Sequence, residues 1–319
     1  MNLVERLIEL DRASSKRVAV VGDSMVDEWC EGVLSDSQDG CKKFVVEKQN
    51  CTPGGAAGAA RQLSNWNARA RLFSVLSRRF EWPQMRHLLR DVNDSWCRTV
   101  GTVPIKQRYL SEGKIVFRCD LDEPKPHRYP EPLVEDFPDV IAKDHYDAIL
   151  ITDYDKGLLS AELVQKLVEI GVKQGIPVVA DAKREPGFYQ GAILKCNEAY
   201  WKRYKHSDVL PTRLVITLGP CEAHVGNPLR FQMGGSFRLN RLPNVSCVNH
   251  VGAGDCFAAH LVLALAHGFN LEEAALVAYC AGRVYVQKPF GQPPTPEEVA
   301  ADFAGGLEST PSLRSVHGK

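Results

Sequence analysis

Residues 16–27 read KRVAVVGDSMVD. After two basic residues the run is apolar, and it is too short for a helix. It fits a strand buried on both faces of a parallel sheet. The Gly-Asp-Ser that follows is not G-x-G-x-x-G, which argues against a dinucleotide-binding turn. Comparable runs stand at 70–76, 147–152 (DAILIT), 176–181 (IPVVAD) and 214–218 (LVITL). Helical stretches lie between them, at 55–66, at 83–92 with Pro83 in the first turn, and at 160–174. In the last, Leu163, Leu167 and Ile170 share one face before Gly175 and Pro177 end it. This alternation predicts an α/β fold, a mostly parallel sheet flanked by helices on both faces.

Two stretches break the alternation. Residues 29–52 carry little helical period, with 44–47 as the best strand. Residues 102–120 read as two strands, 105–110 and 115–120, around a Ser-Glu-Gly turn. Together they predict a small β-sheet lid over one edge of the main sheet. The last third is helical. Gly254 and Asp255 precede a helix over 257–267, and Asn270 opens another over 271–288 with Glu273 placed for a capping box. One domain over 1–308 is expected, followed by a flexible tail, 309–319, with fraying from Gly305 onward.

Charge excludes some partners. The 319 residues hold 39 Lys+Arg against 39 Asp+Glu, so nothing draws the chain to nucleic acid or acidic lipid. No apolar run reaches the ~18 residues of a membrane span. Residues 1–16 mix Glu, Asp and Arg with apolar residues, unlike a signal peptide, and a cytoplasmic location is expected. None of the ten cysteines forms a C-x-x-C pair. They read as reduced packing residues rather than metal ligands.

The sharpest chemical motif is Val251-Gly252-Ala253-Gly254-Asp255 entering an apolar helix. Glycines and a helix N-terminus turn backbone N–H groups toward one point, as a transferring phosphoryl group requires. An aspartate there could accept a substrate hydroxyl proton, though Asp is also a good helix cap and Gly a good turn residue. Three aspartate-bearing turns follow strands: Asp23 to Asp27, Asp153 to Gly157, and Asp181-Ala182-Lys183. Ligands of open α/β sheets bind outside the carboxyl ends of the strands, where carboxylates suit sugar hydroxyls and lysines a phosphate. Gly54-Gly55-Ala56-Ala57 opens a helix and admits either a polyol or tight helix–sheet packing. The lid strands carry Lys106, Arg108 and Arg118, a basic set that also suits a protected edge. G-x-x-x-x-G-K-[ST], G-x-S-x-G and H-E-x-x-H are all missing, which excludes a P-loop NTPase, an α/β-hydrolase and a zincin.

In chain order these motifs resemble the ribokinase-like (PfkB) family of carbohydrate kinases, over about residues 17–299. The diagnostic element is the G-A-G-D signature at 252–255. GDSMVD at 22–27, PGGAAGAA at 53–60, the lid segment 106–123, TDYDKG at 152–157 and DAK at 181–183 place it nearest the branch acting on D-glycero-D-manno-heptose 7-phosphate. A fused nucleotidyltransferase domain, common in that branch, is not expected in this chain. The resemblance implies Asp255 as general base on the anomeric hydroxyl, with Gly252, Ala253 and Gly254 as anion hole. It also implies that Asp23, Asp27, Gly54 and Gly55 hold sugar hydroxyls, and that Arg108, Lys156 and Lys183 bind the substrate's phosphate. Asn197, Thr217, Gly219 and Gly254 would meet ATP, with Mg²⁺ near Glu198. A homodimer through the lid is also implied.

The departures fall on the nucleotide side. The family's N-x-x-E is here Asn197-Glu198-Ala199-Tyr200. The Thr before G-A-G-D is Val251, a helix Asn is Tyr279, and the stretch from Asn197 to the strand at 214 is short. These changes leave open a kinase of another sugar, or a catalytically weak sugar-phosphate binder.

Overall fold

The computed structural model describes residues 2–100, 102–121, 134–219, 222–227, 237–239, 245–289 and 291–308. The chain begins with helix α1 (Leu3–Ala13), which the sequence reading missed. Asn2 caps it, accepting from the Glu5 N–H while the Glu5 carboxylate accepts from the Asn2 N–H. Strand β1 (Arg17–Gly22) leads to a long hairpin, β2 (Ser24–Asp36) and β3 (Lys42–Gly55), and then to α2 (Ala56–Ser64). Next come β4 (Arg69–Phe73), β5 (Val75–Ser77), α3 (Pro83–Leu88), β6 (Arg98–Val100), β7 (Ile105–Ser111) and β8 (Lys114–Leu121). The central crossovers are α4 (Phe137–Lys143), β9 (Ala148–Thr152), α5 (Ala161–Gln174), β10 (Val178–Asp181), β11 (Ile193–Asn197) and α6 (Glu198–Tyr204). Strands β12 (Arg213–Thr217), β13 (Ala223–Gly226) and β14 (Phe237–Arg238) precede helices α7 (Ala253–Ala266), α8 (Leu271–Val286) and α9 (Pro296–Glu308).

The main sheet runs β14-β13-β12-β11-β10-β9-β1-β4. Its six strands from β12 to β4 are parallel, and β13 and β14 are antiparallel. Side-chain alternation explains the unbroken apolar runs. Val18 and Val20 of β1, with Leu150 of β9, join the core beneath α2, α7 and α8. Ala19, Val21, Ile149 and Ile151 join the opposite core with α4 and α5. Both faces are therefore dry. The chain is the α/β fold the alternation predicts, a mostly parallel sheet flanked by helices, with a second sheet ordered β3-β2-β7-β8.

Several expectations need correction. The run 70–76 is two strands, because buried Ser74 turns out of the ladder and donates to the Gly22 carbonyl at 2.6 Å. The lid hairpin is far longer than 44–47. Its register from Ser24↔Gly55 to Asp36↔Lys42 is held by backbone bonds, which its mostly charged and exposed outer residues do not advertise. The helix beginning at Pro83 stops at Leu88 rather than 92, because the chain turns there to bring Asn93 beside Arg71. Strand β11 and α6 were missed, and so was α9, which keeps 305–308 helical where fraying was expected. The expected tail, 309–319, lies outside the described residues. Five cysteines (30, 51, 196, 256 and 280) are buried packing residues, but Cys41 and Cys247 are exposed. No helix among the described residues is long and apolar enough to cross a membrane.

Candidate active site

The carboxyl ends of β1, β9, β10, β11 and β12 come into one row, with Gly22 opposite Thr152, Thr152 opposite Asp181, and Asn197 opposite Thr217. Helix α7 points its N-terminus into that row. It begins at Ala253, four residues before the expected start, so Asp255 lies inside the first turn. Gly252 caps the helix at φ +83°, and a Cβ there would lie 2.4 Å from the Tyr285 hydroxyl. Glycine meets both demands. Tyr285 donates to the Val251 carbonyl at 2.7 Å and fixes the turn from outside.

Two cavities meet at this turn. Gly252 and Asp255 line the smaller, with Asp27, Trp29, Thr52 and Gly54 of the lid hairpin and with Arg61 of α2. Ala253 and Gly254 line the larger, of about 300 Å³, with Lys195, Asn197, Thr217, Gly219 and Tyr279. The signature thus stands between them, with Asp255 facing one side and the backbone of Gly254 the other.

Asp255 is buried, and its carboxylate accepts from the Tyr154 hydroxyl at 2.6 Å. Burial pushes its pKa up to about 7; the Tyr154 bond and Lys195 pull it down, while Asp181 and Asp27 raise it further. A carboxylate poised there suits a general base near neutrality. Lys106 faces the same group, its ammonium 4.8 Å from the centre of the Tyr154 ring. Burial also drives the Tyr154 hydroxyl well above its ordinary value, so it stays a donor.

The other expected residues divide. Asp27 lines the smaller cavity, and glycine at 54 is required because a Cβ would clash with Asp27 Oδ2. Asp23 sits deeper. One oxygen accepts from the Tyr154 and Lys156 N–H groups and the other from Leu158, at 3.0, 3.1 and 3.2 Å, and burial raises its pKa to about 6. It pins the 153–158 loop, together with Asp153, which takes Arg184 and Tyr189. Gly55 backs this arrangement at the start of α2. Arg108 is buried, donates to Asp27 Oδ1 at 2.7 Å and lies 4.9 Å from the Trp29 ring. Its charge is already matched. Lys183 is exposed, and neither it nor Lys156 lines either cavity.

On the nucleotide side, Asn197, Thr217, Gly219 and Gly254 all reach the larger cavity, as expected. Glu198 does not. It lies half-exposed on α6, paired with Lys202 at 2.6 Å. Tyr200 takes the position three residues after Asn197, buried and donating to the Arg184 carbonyl at 2.7 Å. Among the described residues no three His, Cys, Asp or Glu side chains converge to hold a metal.

Sequence reading missed Lys195. It is buried mid-strand in β11, donating to Asp181 Oδ2 at 2.8 Å and to the Gly254 carbonyl at 3.2 Å. A lysine interrupting a short apolar run was its one signal, and the run was too brief to be read as a strand.

Residues 195–298 match the model of the pfkB family of carbohydrate kinases. The bifunctional protein HldE of Shigella boydii is 30% identical over 301 residues, covering 88% of this chain and 61% of its own length. That of Nitratiruptor is 26% identical over 314 residues, covering 89% and 64%. The chain thus spans less than two thirds of these relatives. Among solved structures, Arabidopsis thaliana ribokinase complexed with ribose and ATP aligns with a TM-score of 0.68 at 15% identity, covering 91% of this chain and 99% of its own. A Methanocaldococcus jannaschii nucleoside kinase aligns at 0.67 and 14%, covering 92% and 100%. These last two speak for the fold.

Proposed function

This chain carries a carbohydrate kinase domain of the PfkB family, and from that premise we propose that it moves the γ-phosphate of ATP to the anomeric hydroxyl of D-glycero-D-manno-heptose 7-phosphate, yielding the 1,7-bisphosphate and ADP. One observation carries the transfer. The turn 252–255 separates two cavities and presents Asp255 to one and the α7 N-terminus to the other. A hydroxyl beside Asp255 and a phosphate above Gly254 would then meet across the turn. Asp255 takes the hydroxyl proton as the oxygen attacks phosphorus, and the N–H groups of the turn stabilise the charge that builds on the phosphoryl oxygens. The Tyr154 bond keeps the carboxylate ionised and aimed. Magnesium belongs to this scheme as part of the MgATP substrate. The heptose assignment is supported by the HldE relatives.

The smaller cavity encloses about 10 Å³, close to one water molecule. Sugar entry therefore requires β2 and β3 to move off α2, and their return would exclude water. The test is ADP release with MgATP across a panel of heptose 7-phosphate, heptose, ribose and fructose. Turnover confined to heptose 7-phosphate is expected. Faster turnover of another sugar would move the substrate assignment and leave the mechanism. Binding of heptose 7-phosphate without ADP release from any sugar would replace the kinase reading with that of a binder.

The lid's exposed apolar residues, Val33, Leu34, Val45, Val46, Ile115 and Phe117, support a homodimer through this sheet. Phe117→Ser, removing a side chain 60% exposed, should convert a dimer to a monomer in sedimentation equilibrium. A wild-type monomer at micromolar concentration would rule the lid dimer out.

A further inference from the structure

Arg61 stands in the second turn of α2 and is the one cationic side chain lining the smaller cavity among the described residues. Its Nη1 donates to the Gly291 carbonyl at 2.8 Å. That is the only side-chain hydrogen bond recorded for it among the described residues, and no carboxylate there lies within ion-pair distance. The contrast with its neighbours is sharp. Arg108 is matched by Asp27, Arg79 by Glu28, and Arg184 by Asp153. A guanidinium carries five N–H donors in a fixed fork, and withdrawing its charge from water without a counterion is costly. Burial also pulls the Arg61 pKa down from its ordinary value, so the group gains most from an anion that joins it.

The surroundings define that anion. Gly252, Asp255 and Tyr285 share the cavity wall with Arg61, and Tyr285 donates to the Val251 carbonyl. Arg61 and the N-terminal turn of α7 thus border one small space. Once β2 and β3 move off α2 and the space opens, a tetrahedral phosphate suits both, taking paired N–H donors from the guanidinium and backbone N–H groups from the helix end.

We propose that Arg61 is the phosphate-recognising residue of the acceptor cavity, a role for which Arg108 is unavailable because it is spent on Asp27. The phosphate can come from the acceptor sugar or be the γ-phosphate in transit, and the inference rests on the kinase reading for its kinetic arm alone.

The test uses the full chain with Arg61→Gln and Arg61→Lys. The first arm is independent of turnover: inorganic phosphate, titrated into nucleotide-free protein, should raise the wild-type Tm, and Arg61→Gln should abolish the rise while Arg61→Lys keeps part of it. The second arm compares heptose 7-phosphate with heptose. Recognition of the acceptor's phosphate predicts that Arg61→Gln raises KM for the phosphorylated sugar roughly 10- to 100-fold and leaves heptose unchanged. Recognition of the γ-phosphate predicts a similar loss of kcat on both sugars with each KM kept. A wild-type Tm that ignores phosphate, or an Arg61→Gln variant that keeps the full rise, overturns the proposal. An Arg61→Gln Tm lowered without phosphate but still rising normally with it would reduce Arg61 to a clamp on Gly291. If no sugar is turned over, the phosphate arm still decides.

Discussion

Asp255→Asn should lower kcat about 10²- to 10⁴-fold while sugar affinity stays within a few-fold, since a general base acts in the transition state. Near-normal turnover would remove Asp255 from the role. In the wild type, kcat/KM should rise with pH through a limb near 7, the value to which burial pushes this carboxylate. Tyr154→Phe deletes the 2.6 Å hydrogen bond that favours the ionised form, so the limb should move up by about one pH unit. A limb that stays in place would leave Tyr154 a packing residue. Asp27, Asp181, Lys106 and Lys195 also face Asp255 and remain in both variants, so the shift isolates the tyrosine.

The same carboxylate makes stability depend on pH. Its folded pKa, about 7, lies above the 3.8 of an ordinary aspartate. The folded state therefore holds the proton more tightly, and the associated stability is full below about pH 4 and lost as pH rises through 7. Asparagine imitates the neutral acid without titrating. Thermal scans should show Asp255→Asn most stabilised at pH 8, with the gain shrinking to nothing near pH 4. Asp23, also raised, to about 6, has the same sign and is common to both proteins, so it cancels. The active site holds a charge the fold alone would rather neutralise.

Lys195→Met should be the most damaging change on the nucleotide side. It strips Asp181 of its 2.8 Å partner and the Gly254 carbonyl of a donor. Breaking a buried ion pair from one side costs about 3–5 kcal/mol, because the remaining charge stays desolvated. Calorimetry should show that loss, and a second change, Asp181→Asn, should recover most of it. Well below the lowered Tm, KM for ATP should still rise roughly tenfold or more, because Lys195 also lines the larger cavity. A fallen Tm with ATP affinity within twofold of wild type would make Lys195 a structural cation and nothing else.

The fold was legible where local patterning and tertiary demand agree. Residues 18–21 and 148–151 are buried, so their sequence had to be continuously apolar. Ser160 and Gly175 bracket α5 as N-cap and left-handed C-cap, and Asn270 with Glu273 opens α8, as their chemistry dictates. Legibility failed where backbone pairing did the work. The outer half of the long lid hairpin is mostly exposed, so no burial-driven hydrophobic period marks it. Strand β11 hid because its third residue is a lysine whose charge is answered from β10, fourteen positions earlier.

The candidate site divides along the same line. Motif spacing placed Asp255 and its glycines at a helix start, which depends on backbone geometry that neighbouring residues fix, while only the family resemblance singled out Asn197, Thr217 and Gly219, which line the larger cavity. Which cations are available is different. Arg108 looked like a phosphate ligand until Asp27 was found against it, Glu198 looked like a metal ligand until it proved to face Lys202, and Arg61 drew no notice. A charge is spent or free according to what lies within about 4 Å, across 81 positions of sequence for Arg108 and Asp27. Sequence determined the main sheet and the glycine turn that opens α7, because those follow from local rules. Tertiary structure decided which charges remain for a ligand, because pairing is set by distance in space.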